Sequence, residues 1–342
     1  MKINIRDVAK EANVSMSTVS RVINNNYPVK AETKKRVDAA IKKLNFSPNI
    51  LARSLVHQNT KTIGVIAPSI NNLFFPTVIK GIEHILRTNE YSIYLCDTDD
   101  KAEDEVKYIK SLLGRQVDGI ISIDPKTENI KSGFYEGINN EIPLVCINGY
   151  NKNIKCNFVL NDEVSGAQQA MKYLIDLGHK NIIFVRGEKS NSYDLKENVY
   201  KKILKENGLI KSRKIVDIGE GNSDETVENT MNIIYKNLQD NKDNFPIAFF
   251  TCNDLIALGV MNACKRSGYD VPNDVSIIGF DNISISSLVE PKLTTVDQNM
   301  CSLGENAANM ILDIIRSKDK NLKKVILNTK LIIRNSCIKI LP

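Results

Sequence analysis

From Lys61 onward the chain keeps one rhythm: short apolar runs rich in β-branched residues, each followed by a longer stretch with helical spacing. The runs are Thr62–Ala67, Ser92–Cys96, Gly119–Ile123, Pro143–Ile147, Asn181–Val185, Ile247–Phe250 and Val275–Gly279. Strands this continuously apolar need cover on both faces. Val78–Leu86, Val164–Leu177, Leu195–Lys205 and Leu255–Ser267 have the period to supply it. The pattern predicts doubly wound parallel sheets. There are too many strands for one comfortable sheet, so two lobes are expected, with a first switch near Val159–Asp162. Lys292–Gln298 and Leu322–Ile333 are read as return crossings. The expected division is therefore 61–161 with 291–321 in one lobe and 162–290 with 322–342 in the other.

The beginning of the chain follows different rules. Residues 1–57 hold eleven Lys and Arg against four Asp and Glu, a balance of +7, while the rest of the chain holds 35 against 36. The whole formal excess of +6 thus comes from one end. A compact basic module on a near-neutral body is the footprint of a nucleic-acid reader, and a lysine-rich solvated helical face is the competing reading. Three short helices are expected. Asn4 caps the first, with Asp7 in its first turn and Ile5, Val8, Ala9 and Ala12 on one face, and Asn13 is a left-handed stop. The second starts near Ser15 and runs through Thr18, Val19, Val22 and Ile23 until Asn24-Asn25-Asn26-Tyr27-Pro28 ends it. The third, Ala31 to Leu44, gathers Val37, Ala40, Ile41 and Leu44 on one side. Residues 1–46 are read as this bundle, and 47–60 as a hinge helix and linker.

The remaining composition mostly excludes. With 42% hydrophobic and 25% charged residues the chain is neither disordered nor fibrous. No apolar run approaches the ~20 residues of a membrane helix, and the start is not a secretory leader, so a cytoplasmic protein with no membrane partner is expected. Seven cysteines are scattered without a C-x-x-C pair, and the three histidines, His57, His84 and His179, lie far apart. They suggest small core residues in a reducing compartment, not a disulfide framework or metal site. Dinucleotide, P-loop, nucleophile-elbow and H-E-x-x-H motifs are all missing, so no cofactor, no metal and no enzymatic activity are expected.

Asp7 to Val22 has the layout of a helix-turn-helix. Ala9, Val14, Val19 and Val22 are expected to pack two helices together, and small Ala12 and Asn13 allow the turn. The second helix would then present Met16 to a thymine methyl, Arg21 to guanine or phosphate, and Ser17 as a tolerant hydrogen-bonder. Thr18, Ser20 and Asn24 suit phosphates. Asn4 and Ser15 complete the expected DNA-facing set in this bundle.

These residues, with Asn45-Phe46-Ser47-Pro48-Asn49 and Leu51-Ala52-Arg53-Ser54-Leu55, resemble the N-terminus of the LacI/GalR family of bacterial transcription regulators. The likeness continues through Thr62–Ile66, Gly178–Ile182, Asn253–Gly259, Val271–Asp281 and Leu293–Val296, in order along nearly the whole chain. It implies an N-terminal all-α helix-turn-helix bundle and a periplasmic-binding-protein-like α/β core. It also makes Asn49–Val56 a hinge helix, too short to be stable alone. Asn49, Ala52 and Arg53 would contact DNA there, with Ala52 small enough for two hinges to approach. Leu55 would be a wedge in the minor groove, where a floppy tether is the alternative. The implied partners are double-stranded pseudo-palindromic operator DNA, a small-molecule effector of carbohydrate kind, and a second copy of the chain in a homodimer.

A ligand cleft is expected where strands end at their carboxyl edge. Asn72, Phe74 and Phe75 follow the first strand, and the resemblance implies an aromatic stacking on a sugar ring. Two core phenylalanines are the competing reading. Asn253 and Asp281 sit just past strands in the other half, and Gln298 lies on a crossing segment. A helix cap is the bland alternative for such residues. Asn148-Gly149 stands where many relatives have Asp-Arg, and Lys196 where an arginine usually forks onto ligand, an exchange that is not conservative. Ser192 belongs to the expected set, with Lys189 and Ser190 as further neighbours. A ligand-controlled repressor is the expected function, with inducer and co-repressor both open. A solute receptor without a DNA role, or an enzyme of sugar metabolism, would fit the body but not the basic head.

Overall fold

The computed structural model describes residues 3–24, 27–46, 59–149, 153–188, 190–223, 225–239, 246–317 and 321–340. It divides into two compact units, Met1–Thr60 and Lys61–Pro342.

In the first unit three helices form, α1 (Ile5–Glu11), α2 (Met16–Asn24) and α3 (Ala31–Lys43). Asn4 caps α1 reciprocally: its side-chain oxygen accepts from Arg6 N at 2.8 Å, and the Asp7 carboxylate accepts from Asn4 N at 2.9 Å. Asn13 takes φ +49, the left-handed stop that lets the chain reverse into α2. Val8, Ala9, Ala12, Val19, Val22, Val37 and Ala40 are buried together, and Val14 is partly buried against them. A core this small leaves every member energetically important.

The second unit holds two six-stranded sheets among the described residues. The first is built from β1 (Thr62–Ala67), β2 (Ser92–Asp97), β3 (Gly119–Ile123), β4 (Leu144–Ile147), β5 (Asn157–Asn161) and β11 (Lys324–Leu327), in the order β11-β5-β4-β3-β1-β2. All its pairings are parallel. The second contains β6 (Ile182–Arg186), β7 (Lys214–Asp217), β8 (Ile247–Thr251), β9 (Val275–Asp281), β10 (Thr294–Asp297) and β12 (Lys330–Ile332), in the order β12-β10-β9-β8-β6-β7. Here only the β10–β12 pair is antiparallel. Helices α4 (Phe74–Thr88), α5 (Ala102–Gly114), α6 (Thr127–Lys131) and α7 (Phe134–Glu141) follow strands of the first sheet. Helices α8 (Glu163–Asp176), α9 (Asn191–Glu206), α10 (Thr226–Gln239) and α11 (Asp254–Ser267) belong to the second lobe, and α12 (Met300–Ser317) returns to the first.

Two parts of the expected lobe division need correction. Thr294–Asp297, placed in the first lobe as part of 291–321, hydrogen-bonds to β9 of the second sheet. Lys324–Leu327, placed in the second lobe as part of 322–342, pairs with β5 of the first. A short strand's composition does not say which sheet it joins; that is settled by long-range pairing. The cysteine expectation also needs one correction. Cys146, Cys156, Cys252 and Cys264 are buried free thiols and Cys96 and Cys337 are half-buried, but Cys301 is exposed on α12.

Helices α4 and α12 approach each other through glycine. A Cβ at Gly304 would lie 2.1 Å from the Val78 carbonyl oxygen, and one at Gly81 would lie 2.1 Å from that of Cys301. Both obstacles are backbone, so neither can rotate away. Gly304→Ala is expected to lower stability by about 1–3 kcal/mol in urea unfolding, as overpacking does. Gly137→Ala, where the added carbon meets nothing within 4 Å, should leave stability unchanged or slightly raised.

Candidate functional site

In the first unit, α2 divides cleanly by face. Val19 and Val22 point into the core, while Met16, Ser17 and Arg21 are exposed, with Met16 47% accessible despite its apolar side chain. Ser15 begins the helix: its hydroxyl accepts from Thr18 N at 3.2 Å and lies 2.8 Å from Ser17 Oγ. Thr18 and Ser20 are half-buried at the border, and Asn24 ends the helix. The Arg21 guanidinium lies over the ring of Tyr27 at 5.5 Å, a contact the sequence reading did not foresee. Stacking of this kind holds an arginine's planar donor face in one orientation. Asn4 remains exposed, its side-chain oxygen engaged in the cap. Asn49, Ala52, Arg53 and Leu55 lie outside the described residues, as does Lys189.

In the second unit, the carboxyl ends of strands from both sheets converge on one cleft. The first lobe contributes Asn72, Phe74 and Phe75 from the turn and first residues of α4, Asp124 just past β3, and Asn148 just past β4. The second contributes Ser192, Tyr193 and Lys196 from α9, Asn222 from the loop after β7, Cys252 and Asn253 after β8, and Asp281 at the end of β9. Glu163 and Gln298 come from segments that pass between the lobes. All nine expected cleft residues therefore line one space. Asp124, Glu163, Tyr193, Asn222 and Cys252 are additions, while Ser190 lies at the wider mouth.

Local geometry explains several of these identities. Asp124 has φ +47 and Asn148 φ +59, left-handed exits that Asp and Asn tolerate best. Gly149 follows Asn148 with φ +66, and a side chain there would press on Ile130 and Pro125. Phe74 and Phe75 are both core residues, packed edge to face at 5.3 Å, and both also border the cleft. Asn253 combines the competing roles as well. Its side-chain oxygen caps α11 by accepting from Ile256 N at 2.9 Å, while its amide donates to Gly221 O at 2.8 Å. Across the cleft, the Asn72 amide donates to Asn222 Oδ1 at 2.8 Å, joining the two lobes.

Charge inside the cleft is concentrated at Lys196, only 2% exposed, with Glu163 at 3.3 Å. Its ammonium also donates to Ser192 Oγ at 2.9 Å and Cys252 O at 3.2 Å, and lies 4.0 Å over the Phe280 ring. Burial, the largest single influence, lowers its pKa, but Glu163, Cys252 and Asp281 together outweigh burial and hold it above the usual lysine value. Opposite it, burial pushes the Asp281 carboxyl well above its ordinary range; Lys196 opposes this, and Asp254 adds to it. Gln298 Nε2 donates to Asp281 at 2.5 Å, and Gln298 Oε1 accepts from Asn161. Asp254 sits behind the cleft, accepting from Thr295 Oγ1 and from Ile283 N at 2.9 Å; burial pushes its carboxyl up to about 7. Among the described residues no group of three His, Cys, Asp or Glu is placed to hold a metal, and no helix is long and apolar enough to cross a membrane.

A helix-turn-helix unit and a two-lobed, cleft-bearing unit in one chain define a DNA reader equipped with a small-molecule binding body. Comparison with known proteins agrees on both halves. Residues 4–49 match the model of bacterial regulatory proteins of the lacI family, and 171–337 that of a periplasmic binding protein-like domain. Catabolite control protein A of Priestia megaterium is 38% identical over 315 residues, covering 91% of this chain and 92% of that one. A lac repressor dimer bound to operator and the anti-inducer ONPF superposes with a TM-score of 0.86 at 25% identity, covering 99% and 100% of the two chains. A LacI family regulator from Enterococcus faecium with bound ribose gives a TM-score of 0.71 at 26% identity, covering 82% and 100%. The chain belongs to the lacI family of bacterial regulatory proteins. It is a DNA-binding transcription regulator with a ligand-binding body, and not an enzyme.

Proposed function

We propose that this chain is a repressor that binds a pseudo-palindromic operator as a homodimer and changes its grip when a carbohydrate occupies the cleft. The observation that carries the reading is the convergence of nine polar and aromatic residues, expected from well-separated stretches of chain, on one space at the carboxyl ends of both sheets. Ribose in the cited relative supports the carbohydrate assignment. In a dimer, two copies of α2 enter successive major grooves, and Asn49, Ala52, Arg53 and Leu55 serve the minor groove between them. Ligand that favours one lobe arrangement shifts DNA affinity, and bound DNA shifts ligand affinity by the same factor.

A gel shift with a palindromic duplex tests this. Binding is expected at low salt, with affinity falling about 10³–10⁵-fold between 50 and 200 mM salt if 6–10 phosphates are contacted. A cognate sugar should change the midpoint reproducibly. Failure to bind every palindromic duplex in dilute buffer, with and without sugars, would overturn the proposal. Leu55→Ala should weaken specific binding far more than non-specific binding, and equal losses would remove the wedge assignment.

A further inference from the structure

The cleft is poorly built for an anion. Lys196 is its one cation among the described lining residues, and the three acceptors Glu163, Ser192 and Cys252 O already take up the three donors of its ammonium. Of the helix N-termini at the cleft, the other usual receptors for phosphate, α4 has no acid in its first turn but gives Phe74 N to Asn72 Oδ1, and two others carry their own acids. Asp162 caps α8 with Glu163 behind it, and Asn253 caps α11 with Asp254 behind it.

What the cleft does offer is acceptors. Asp124 faces it with no side-chain hydrogen bond or ion pair among the described residues. Asp281 receives only the Gln298 amide among them. The wider mouth continues the pattern with seven carboxylates, including Glu103, Glu188 and Glu220, against three lysines among the described lining residues. Two of those lysines are already paired, Lys101 with Asp99 and Lys126 with Asp100. A field of this sign repels anions on approach and attracts cations. A phosphate dianion would bring only acceptors to a wall of acceptors, whereas hydroxyls and ammonium groups bring donors.

Resting on the carbohydrate reading above, we infer that the cleft takes a sugar without phosphate or carboxylate, which presents hydroxyl or ammonium donors to Asp124 and Asp281. Asp124 is the residue that sets this choice. It faces two ion pairs, Glu163 with Lys196 and Asp100 with Lys126, and burial with the two acids pushes its carboxyl up to about 7. An ammonium ligand would favour the ionised form, so its binding would strengthen as pH rises from 6 to 7, below the range where the amine of an amino sugar sheds its own proton.

The test is equilibrium dialysis of the full chain against an equimolar mixture of pentoses and hexoses, their 2-amino forms and their phosphate esters, read by mass spectrometry. Retained compounds should be neutral or amino sugars, each bound at least about tenfold more tightly than its phosphate ester. Asp124→Asn keeps a residue suited to the left-handed backbone. It should weaken the retained sugar about tenfold and narrow the gap to the ester. Amino-sugar affinity that climbs between pH 6 and 7 and flattens in Asp124→Asn identifies ammonium as the donor. Preference for the neutral parent identifies hydroxyls; both outcomes support the inference. Retention of a phosphate ester above its parent overturns it, as does an Asp124→Asn variant with unchanged affinity and selectivity. Retention of nothing at millimolar concentration removes the carbohydrate reading itself.

Discussion

A chain lacking residues 1–60 should lose duplex DNA entirely while its body stays folded and keeps its ligand response. The truncation follows the boundary between the two compact units, so it removes no strand and no core residue of the second. It does remove the region that carries the whole positive excess, leaving a body with a balance of −1 and no net positive charge to offer phosphates. Since phosphate contacts supply nearly all non-specific affinity and much of the specific part, the expected loss is at least about 10³-fold at 50 mM salt. The gel shift reads the loss, and thermal melting with the sugar retained in dialysis reads the body. Residual duplex binding by the truncated chain would place the DNA site elsewhere.

The second large effect is expected at the buried pair. Glu163→Ala leaves the Lys196 ammonium, 2% exposed, without its counter-charge. Breaking one side of such a pair costs about 3–5 kcal/mol, a large part of the about 5–15 kcal/mol that holds a typical domain folded. Urea unfolding at pH 7 measures it. Adding Lys196→Met should recover most of the loss, because an apolar chain of similar length needs no partner there. The pH dependence has a definite sign. In the intact protein the pKa of Lys196 is raised, so its stabilising contribution is full at neutral pH and is lost only as pH rises through that raised value. Without Glu163, burial prevails and the pKa falls below 10.5. The unfolded variant then binds more protons than the folded one, and its stability climbs as pH rises toward 10.5. A deficit below 1 kcal/mol, or one independent of pH, would show that the pair is not what holds the ammonium in place.

Much of this architecture is legible in the residues because local and tertiary signals agree. Thr62–Ala67 and Gly119–Ile123 are apolar on both faces, and they form strands with the expected ends. Asn4, Asn13 and the α2 valines behave as capping, turn and packing chemistry dictate. The strands that escaped notice include three at sheet edges. Lys214–Asp217, Lys324–Leu327 and Lys330–Ile332 are short and partly exposed, and none has more than three apolar residues in a row. The cleft shows the same divide. Asn253 and Asp281 were found as polar residues just past a strand, and that rule applied to every strand would also have found Asp124 and Cys252. Glu163 was hidden because β5, which precedes it, went unrecognised, and Asn222 because it follows the unseen β7. Nothing in the sequence signals that Glu163 and Lys196 meet, since their pairing depends on how α8 and α9 pack.

The interleaving of the two sheets bears on how the molecule is made. The first sheet is closed on one side by Lys324–Leu327, and its long covering helix is Met300–Ser317. During synthesis the earlier-emerging lobe therefore lacks an edge strand and a helix until Lys324–Leu327 has left the ribosome, well after most strands of the second sheet. Its exposed flank has to stay soluble through that interval, and the two sheets receive their last strands almost together, as Lys324–Leu327 and Lys330–Ile332 emerge.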